Sequence, residues 1–427
     1  MSEIAQKSIQ TFFARIATQS AGVLTGILLA RALGPYGKGL FTYVGTLLSV
    51  LQTIGSGQSA AVSWQYGRRK RPSGSVLRAT LVVLAWATIV ISSVLLGIAL
   101  FVPGQRVLIA VAIAAPFAFL AQIALGFFLA DGKVTTCNIQ SFITPFGFLA
   151  ALSATYFLIH GGIATALALW VLAVACSAVY SVVMLRPYFR NAGENYRSLV
   201  REQLFFGGRV SANAVVSLLN FRIDVFIVLF MLGAKALGVY SIAIGAGELM
   251  WQLSRPLGVS AFRRINSGTT KDAIYITAKC VRHSLLMVSA ACVLLYFVAP
   301  FGITLVYGKA FAGAVPAVRV LLPGIVAYSM NPFFNGFFTQ HRGRPGLPLA
   351  ISTLSTLICA LMTIATIGYL GIVAGALATS VSYTAAFLVN MFLFIRDTGI
   401  SLKDLFKFGR DDIRPYIDLI PFVKTTS

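Results

Sequence analysis

The chain has 427 residues, 58% of them hydrophobic before glycine is counted, and only 11% are Asp, Glu, Lys or Arg. Soluble domains are about 45–50% apolar with glycine included and about 25% charged, so a soluble fold of this size cannot hide so much apolar surface, and a cytosolic enzyme is excluded. The 34 Lys and Arg against 12 Asp and Glu leave a formal charge of +22. In a soluble protein that excess would suggest nucleic acid; here the cations sit in short runs between apolar stretches of roughly 20 residues, as in a polytopic membrane protein with no nucleic-acid partner.

In chain order the apolar runs predict twelve spanning helices, at 8–31, 39–65, 79–102, 107–130, 137–159, 163–185, 204–233, 238–258, 284–306, 315–340, 349–369 and 371–395. Each can cross a hydrocarbon core of about 30 Å at 1.5 Å per residue, some with tilt. The first run continues too long, and without a small-residue cleavage pattern, to be a cleavable signal peptide. Cys137, Cys176, Cys280, Cys292 and Cys359 form no CxxC pair, and His160, His283 and His341 are far apart in the sequence, so neither a disulfide framework nor a metal site is expected, and no cofactor.

The cations orient the spans. One set of connections holds Lys7, Arg68 to Arg71, Arg78, Lys133, Arg186, Arg190, Arg197, Arg201, Arg263, Arg264, Lys271, Lys279, Arg282, Arg342, Arg344 and the tail; the other holds only Arg31, Lys38, Arg106, Lys235 and Lys309. Both termini are therefore expected in the cytoplasm of a bacterial inner membrane, with anionic membrane lipids facing the basic loops. The tail, 396–427, is partly amphipathic, with Leu402, Leu405 and Phe406 opposed by Lys403, Asp404 and Lys407, and is expected along the interface.

The longest polar connection before the tail, Arg186 to Gln203, divides the spans six and six, giving lobes at 1–203 and 204–395. Phe12-Phe13-Ala14-Arg15-Ile16 is echoed by Phe205-Phe206-Gly207-Gly208-Arg209-Val210, and Ala32-Leu33-Gly34-Pro35-Tyr36 by Ala236-Leu237-Gly238-Val239-Tyr240. Two halves that start in the same orientation are parallel repeats about an axis along the membrane normal, a layout of transporters. Prolines 116, 145, 256, 316, 323 and 332 fall inside the expected spans, where they favour kinks.

Polar stripes run along the first two helices of each half: Thr11, Arg15, Thr18, Gly22 and Thr25; Ser49, Gln52, Ser56, Ser59 and Ser63; Arg209, Asn213, Ser217, Asn220 and Asp224; and Ser241, Gly245, Glu248, Gln252 and Arg255. Stripes of small residues also serve as packing seams. Charged groups in a bilayer cost at least about 2.5–3.5 kcal/mol and usually face a bundle interior or a wet cavity, so the stripes point to a hydrated cavity lined by Gln52, Ser56, Asn213, Ser217, Asn220 and Gln252. Arg15, Arg209 and Arg255 are placed at one level near its cytoplasmic mouth; snorkelling to the interface is the alternative. Arg222 lies nearly opposite its stripe and is expected at a bend or in an interhelix contact such as one with Glu248. Arg319 lies near the outer face, where an anionic substrate would leave, and both are counted with the cationic substrate-binding set. Asp224 and Glu248 either compensate charge or couple transport to protons or sodium.

The stretch Ala30-Arg31-Ala32-Leu33-Gly34-Pro35-Tyr36-Gly37-Lys38-Gly39, with Phe221-Arg222-Ile223-Asp224 and Leu237-Gly238-Val239-Tyr240-Ser241-Ile242-Ala243, resembles the Wzx-type polysaccharide transporters of the multidrug/oligosaccharidyl-lipid/polysaccharide (MOP) exporter superfamily. The resemblance covers about residues 5–395. It implies an all-α integral membrane protein with a MATE-like V of two six-helix lobes and alternating access. It also implies a flippase that moves undecaprenyl-pyrophosphate-linked oligosaccharide to the periplasmic leaflet, with polysaccharide polymerase or export machinery as partners. The family's cavity arginines carry over to Arg15, Arg209 and Arg255 by position alone. Arginine suits a pyrophosphate because it keeps its charge in a low-dielectric cleft and offers paired donors. A MATE-like cation exporter would have acids dominating the cavity, and a lipid II-type flippase usually has fourteen helices. A membrane-bound glycosyltransferase or ligase would carry large outer loops with carboxylates or a catalytic His. No GxxxxGK[ST] loop supports a nucleotide-driven pump.

Overall fold

The computed structural model describes residues 3–158, 161–190, 196–258, 265 and 268–409, with 3–9 and 157–158 as backbone only. His160, Arg263, Arg264, the Lys7 side chain and the tail beyond residue 409 lie outside what is described. The elements are α1 (Glu3–Val62), α2 (Ser73–Phe101), α3 (Leu108–Ala130), α4 (Val134–Leu158), α5 (Ile163–Leu185), α6 (Tyr196–Gln252), α7 (Thr270–Tyr307), α8 (Ala314–Gly336), α9 (Gly346–Leu370), α10 (Ile372–Thr398) and the short α11 (Leu402–Phe406). The protein is a multi-pass, all-α membrane protein.

Among the described residues ten helices are long and apolar enough to span, and two of these segments run to 59 and 63 residues. At 1.5 Å per residue either would be about three times the hydrocarbon thickness. Each is broken by a single glycine: Gly34 in α1 (φ 63°, ψ −173°) and Gly233 in α6 (φ 81°, ψ 175°). This conformation is essentially confined to glycine. Divided there, α1 and α6 supply two limbs each, and the twelve expected spans are accounted for. The connections expected at 31–39 and 233–238 shrink to one residue. Pro35 opens the second limb of α1, where its missing N–H removes no helical bond.

The repeat register differs from the one that matching letters suggests. A Cβ on Gly39 would lie 1.7 Å from the Ala234 carbonyl oxygen, and one on Gly238 would lie 1.8 Å from that of Pro35. The contact is reciprocal, and it pairs Gly34 with Gly233, Pro35 with Ala234 and Gly39 with Gly238. Aligning Ala32-Leu33-Gly34 with Ala236-Leu237-Gly238 is therefore five residues out. The shared Leu-Gly letters misled because the backbone break, not the following residues, defines the equivalence.

Helix α7 starts at Thr270, well before the expected 284. Thr269 and Asp272 form a reciprocal capping box, with the Thr269 hydroxyl accepting from the Asp272 amide at 3.2 Å. Lys271, Lys279 and Arg282 thus ride on a helix that projects beyond the apolar run, not on a loop. Of the prolines, Pro116, Pro145, Pro323 and Pro332 are inside helices, as are Pro35 and Pro300. Pro316 sits in the first turn of α8, where it breaks no bond, and Pro256 sits in the short helical stretch 255–258 that follows α6 and completes the span ending at Gly258, as expected.

The chain packs as two compact units. The first is Met1–Val225 with Gly233–Gly238; the second is Phe226–Leu232 with Val239–Ser427. The first unit has a core of Val62, Val76, Leu77, Ile123, Phe127, Phe128 and Tyr188 at the basic ends of its helices. The second has Phe333, Phe334, Phe337, Phe338, Phe387 and Phe394 at its own.

Candidate functional site

Arg15 and Arg209 are both exposed, on the first limbs of α1 and α6, and neither has an acidic partner among the described residues. Each follows an exposed phenylalanine by about one turn: Phe12 is 49% exposed and Phe205 60%. Their depths are unequal. Arg15 lies 19 residues before the Gly34 break and Arg209 lies 24 before the Gly233 break, so along its helix Arg209 stands about 7.5 Å further from the equivalent point. The two arginines are staggered and are not repeat equivalents.

The α6 stripe changes character along its length. Arg209, Asn213 and Ser217 are exposed, whereas Asn220 and Asp224 are buried. The Ser217 hydroxyl donates to the Asn213 carbonyl at 3.0 Å, and an Asp224 carboxylate oxygen accepts the Val225 amide at 2.8 Å. Arg222 is partly buried.

In the second unit α6 ends at Gln252. Amides at Leu253 and Ser254 bond three residues back, to Met250 and Trp251, tightening the turn. Arg255 therefore stands past the end of α6 but within the same apolar span, which runs on to Gly258, and is exposed, with its guanidinium 4.7 Å from the Trp251 ring centroid. Trp251 meets Tyr328 at 5.6 Å, and Tyr328 meets Tyr383 at 4.6 Å. The Gln252 Oε1 is buried without a partner among the described residues, and Glu248 is partly buried. Arg319 donates to the Tyr296 carbonyl at 3.3 Å and lies over that ring at 4.5 Å, which ties α8 to α7.

The corrected register shows where the repeat diverges. Glu248 on α6 and Arg255 just past its end correspond to Ser49 and Ser56 on α1. Those hydroxyls are spent on their own helix, Ser49 donating to Gly45 at 2.8 Å and Ser56 to Thr53 at 2.7 Å. Ser63 donates to the Gly126 carbonyl on α3 at 2.9 Å. Ser49, Ser56 and Ser63 are thus committed to backbone carbonyls, whereas Gln52 is exposed.

Sequence reading missed two polar clusters. The first fastens the basic ends of the first unit. Asp131, after α3, accepts from Tyr188 and, at 2.9 Å, from Tyr66, while Lys133 lies 3.0 Å from the Tyr188 hydroxyl and 3.4 Å from the carboxylate. Burial alone would raise the Asp131 pKa, but the tyrosine hydrogen bonds and the Lys133 ammonium hold it below the usual carboxylate range. The second unit is fastened by Arg342 on Asp397 at 2.6 Å, with Arg344 at 3.5 Å. The second cluster is a cavity of about 180 Å³ lined by residues of α1, α3, α4 and α5, where Gln52, expected on a cavity wall, is joined by Gln122 and Gln140, which were not expected. Amides inside apolar runs are the available signal, but on α3 and α4 they belong to no continuous polar stripe.

Residues 4–253, more than half the chain, match the family model described as polysaccharide biosynthesis protein. The chain belongs to the polysaccharide biosynthesis protein family. A search of curated proteins gave no match. Among solved structures, the lipid II flippase MurJ in an inward closed conformation aligns with a TM-score of 0.77 at 16% identity, over 99% of this chain and 94% of that one. An inward-facing multidrug-resistance MATE transporter of the MOP superfamily aligns at 0.71 and 14% identity, over 90% and 94%. A MOP transporter from Pyrococcus furiosus, described as having a binding pocket of reverse polarity, aligns at 0.60 and 14%, over 93% and 95%. The fold of this family member is that of the MOP-superfamily transporters.

Proposed function

We propose that the protein flips an anionic polyprenyl-pyrophosphate-linked oligosaccharide from the cytoplasmic to the periplasmic leaflet, with both termini in the cytoplasm. The observation that carries the reading is the pairing of an exposed, acid-free arginine with an exposed phenylalanine on each of two spans, Phe12 with Arg15 and Phe205 with Arg209. Such a pair suits an amphiphile: the guanidinium takes the phosphate oxygens in bidentate fashion, and the ring takes the neighbouring chain. The stagger of about 7.5 Å along the helices lets Arg209 meet the headgroup first and Arg15 receive it deeper. The family match, made through a polysaccharide-biosynthesis model, supports a glycan-bearing substrate.

A cation exporter is disfavoured. Asp224 is buried with its carboxylate accepting the Val225 amide, and among the described residues the fully exposed charges on the first limbs are arginines, Glu202 being partly buried against Arg69. The test is reconstitution in vesicles with a polyprenyl-pyrophosphate-linked oligosaccharide or a lipophilic cation in parallel. Transfer of the lipid-linked glycan with no cation efflux is the expected result. Cation efflux abolished by Glu248→Gln, with no lipid transfer, overturns the reading.

A further inference from the structure

The first unit holds a cavity of about 180 Å³ whose lining includes Gln52, Gln122, Gln140, Ser141, Thr144 and Ser177, and no Asp, Glu, Lys, Arg or His. One ordered water needs about 10–15 Å³ of such space, so the room is an order of magnitude larger. Gln140 lies six residues into α4 from Val134 and Gln122 eight residues before the end of α3, about 9–12 Å inside the basic ends of the spans. The cavity therefore lies within the apolar thickness, where a polar group without a partner is costly.

Hydrogen bonding there is only partly closed. The Gln140 amide nitrogen donates to the Ala121 carbonyl at 2.6 Å, but its oxygen is buried without a partner, on a side chain only 4% exposed. Ser177 donates to the Gln140 backbone carbonyl at 3.4 Å and Thr144 to Ala173 at 3.5 Å, both long contacts. Gln52 and Gln122 make no hydrogen bond among the described residues, and Gln52 is exposed. Ala118, Leu125 and Val174 supply apolar wall.

An open carbonyl acceptor asks for an O–H or N–H donor. Free amides offer donor and acceptor side by side, and the wall between them takes C–H groups. A bare cation would find neither countercharge nor a shell of free oxygens. From these groups we propose that the cavity is a binding site for one neutral hydroxylated ring, a sugar residue of the lipid-linked glycan. The carrier's identity rests on the transport reading above; the cavity's preference for a hydroxylated ring does not. The arginines then hold the phosphates while this pocket reads the sugar, so charge and glycan are recognised at separate places in the first unit.

The test uses the full chain in lipid nanodiscs, with melting followed by intrinsic fluorescence. Glucose and N-acetylglucosamine are titrated against glycerol as osmotic control, and sodium chloride against choline chloride. A saturable rise in melting temperature is expected with at least one sugar and with neither salt. Gln52→Leu and Gln140→Leu should each weaken that apparent affinity at least tenfold. Gln52 is exposed and tests the site even where Gln140→Leu loses its fold. The proposal is overturned by equal affinity in Gln52→Leu, by a saturable sodium response in place of the sugar response, or by no response to any sugar, which would leave ordered water only. Vesicle transfer of the lipid-linked glycan is scored in parallel. Wild-type protein that transfers the lipid but gives no sugar response contradicts this proposal alone, and protein that binds sugar but transfers nothing contradicts the transport reading alone.

Discussion

Gly126-Phe127-Phe128 leads to Gly132-Lys133 at the end of α3, and Gly336-Phe337-Phe338 leads to Gly343-Arg344 just past α8. In both, two buried phenylalanines precede a glycine of positive φ, 67° at Gly132 and 65° at Gly343, and that glycine turns the helix off. The second has one residue more between phenylalanine and glycine, and its last turn, Phe337–His341, is a π-helix, which absorbs a single insertion. The fastenings differ. The first unit closes on a tyrosine–carboxylate–lysine cluster, whereas the second closes on two arginines and Asp397. The repeat thus preserves backbone geometry and lets side-chain chemistry drift. The same holds on the second limbs, where the repeat equivalents of Ser49 and Ser56 are Glu248 and Arg255.

The largest effect should come from the element both halves share. Gly39→Ala would place its Cβ 1.7 Å from the Ala234 oxygen, so backbone must move, and almost no folded protein is expected in membranes. Gly22→Ala meets nothing within 4 Å and should accumulate like wild type. Equal abundance of the two variants, measured by detergent-extracted size exclusion, would break the reciprocal contact and with it the repeat register.

Next is Asp397→Asn, which removes the countercharge of Arg342 and Arg344 and turns one of the two carboxylate oxygens they share into an amide donor. The carboxylate side chain is only 19% exposed, and hydrogen bonds to charged groups contribute about 1.5–3 kcal/mol, so a clear fall in melting temperature is expected. Lys133→Met should cost less, about 0–1 kcal/mol, because that lysine is 46% exposed and screened. A larger loss from Lys133→Met would reverse the contrast between the two fastenings.

The smallest effect is one of pH. Asp131 titrates lower in the folded chain than in the unfolded one. Its contribution is therefore full above the unfolded value, about 3.9, and fades as pH falls through the lower folded value. Acid melting of the wild type should carry this component below about pH 4, and Asp131→Asn should lose it. An unchanged acid profile in the variant would remove Asp131 from the fastening.

Much of the fold was legible because apolar length and cation asymmetry follow directly from the bilayer. Ile163–Leu185 coincides with the expected span, since glycine before it and Arg186 after it bound the run. Residues Thr270 to His283 resemble a loop in the sequence because their polarity outweighs the Thr269–Asp272 cap. The breaks at Gly34 and Gly233 look like short connections in the sequence because a one-residue break leaves no polar stretch to mark it. The stripe residues were legible as polar faces. Whether a hydroxyl bonds its own helix, as Ser56 does, or Asp224 turns back to its backbone, depends on rotamers that periodicity does not encode. The staggered depth of Arg15 and Arg209 needed the true register.

The central claim is that those two arginines bind the substrate's phosphates. The most direct measurement is transfer of a polyprenyl-pyrophosphate-linked oligosaccharide by Arg15 and Arg209 variants in vesicles at equal protein abundance. Each lost charge-assisted contact is worth about 1.5–3 kcal/mol, so Arg15→Gln and Arg209→Gln should each weaken apparent substrate affinity by about one to two orders of magnitude. The lysine variants keep the charge without the planar fork and should recover only part of it. Wild-type transfer by both glutamine variants, or full rescue by lysine at both positions, would contradict the account.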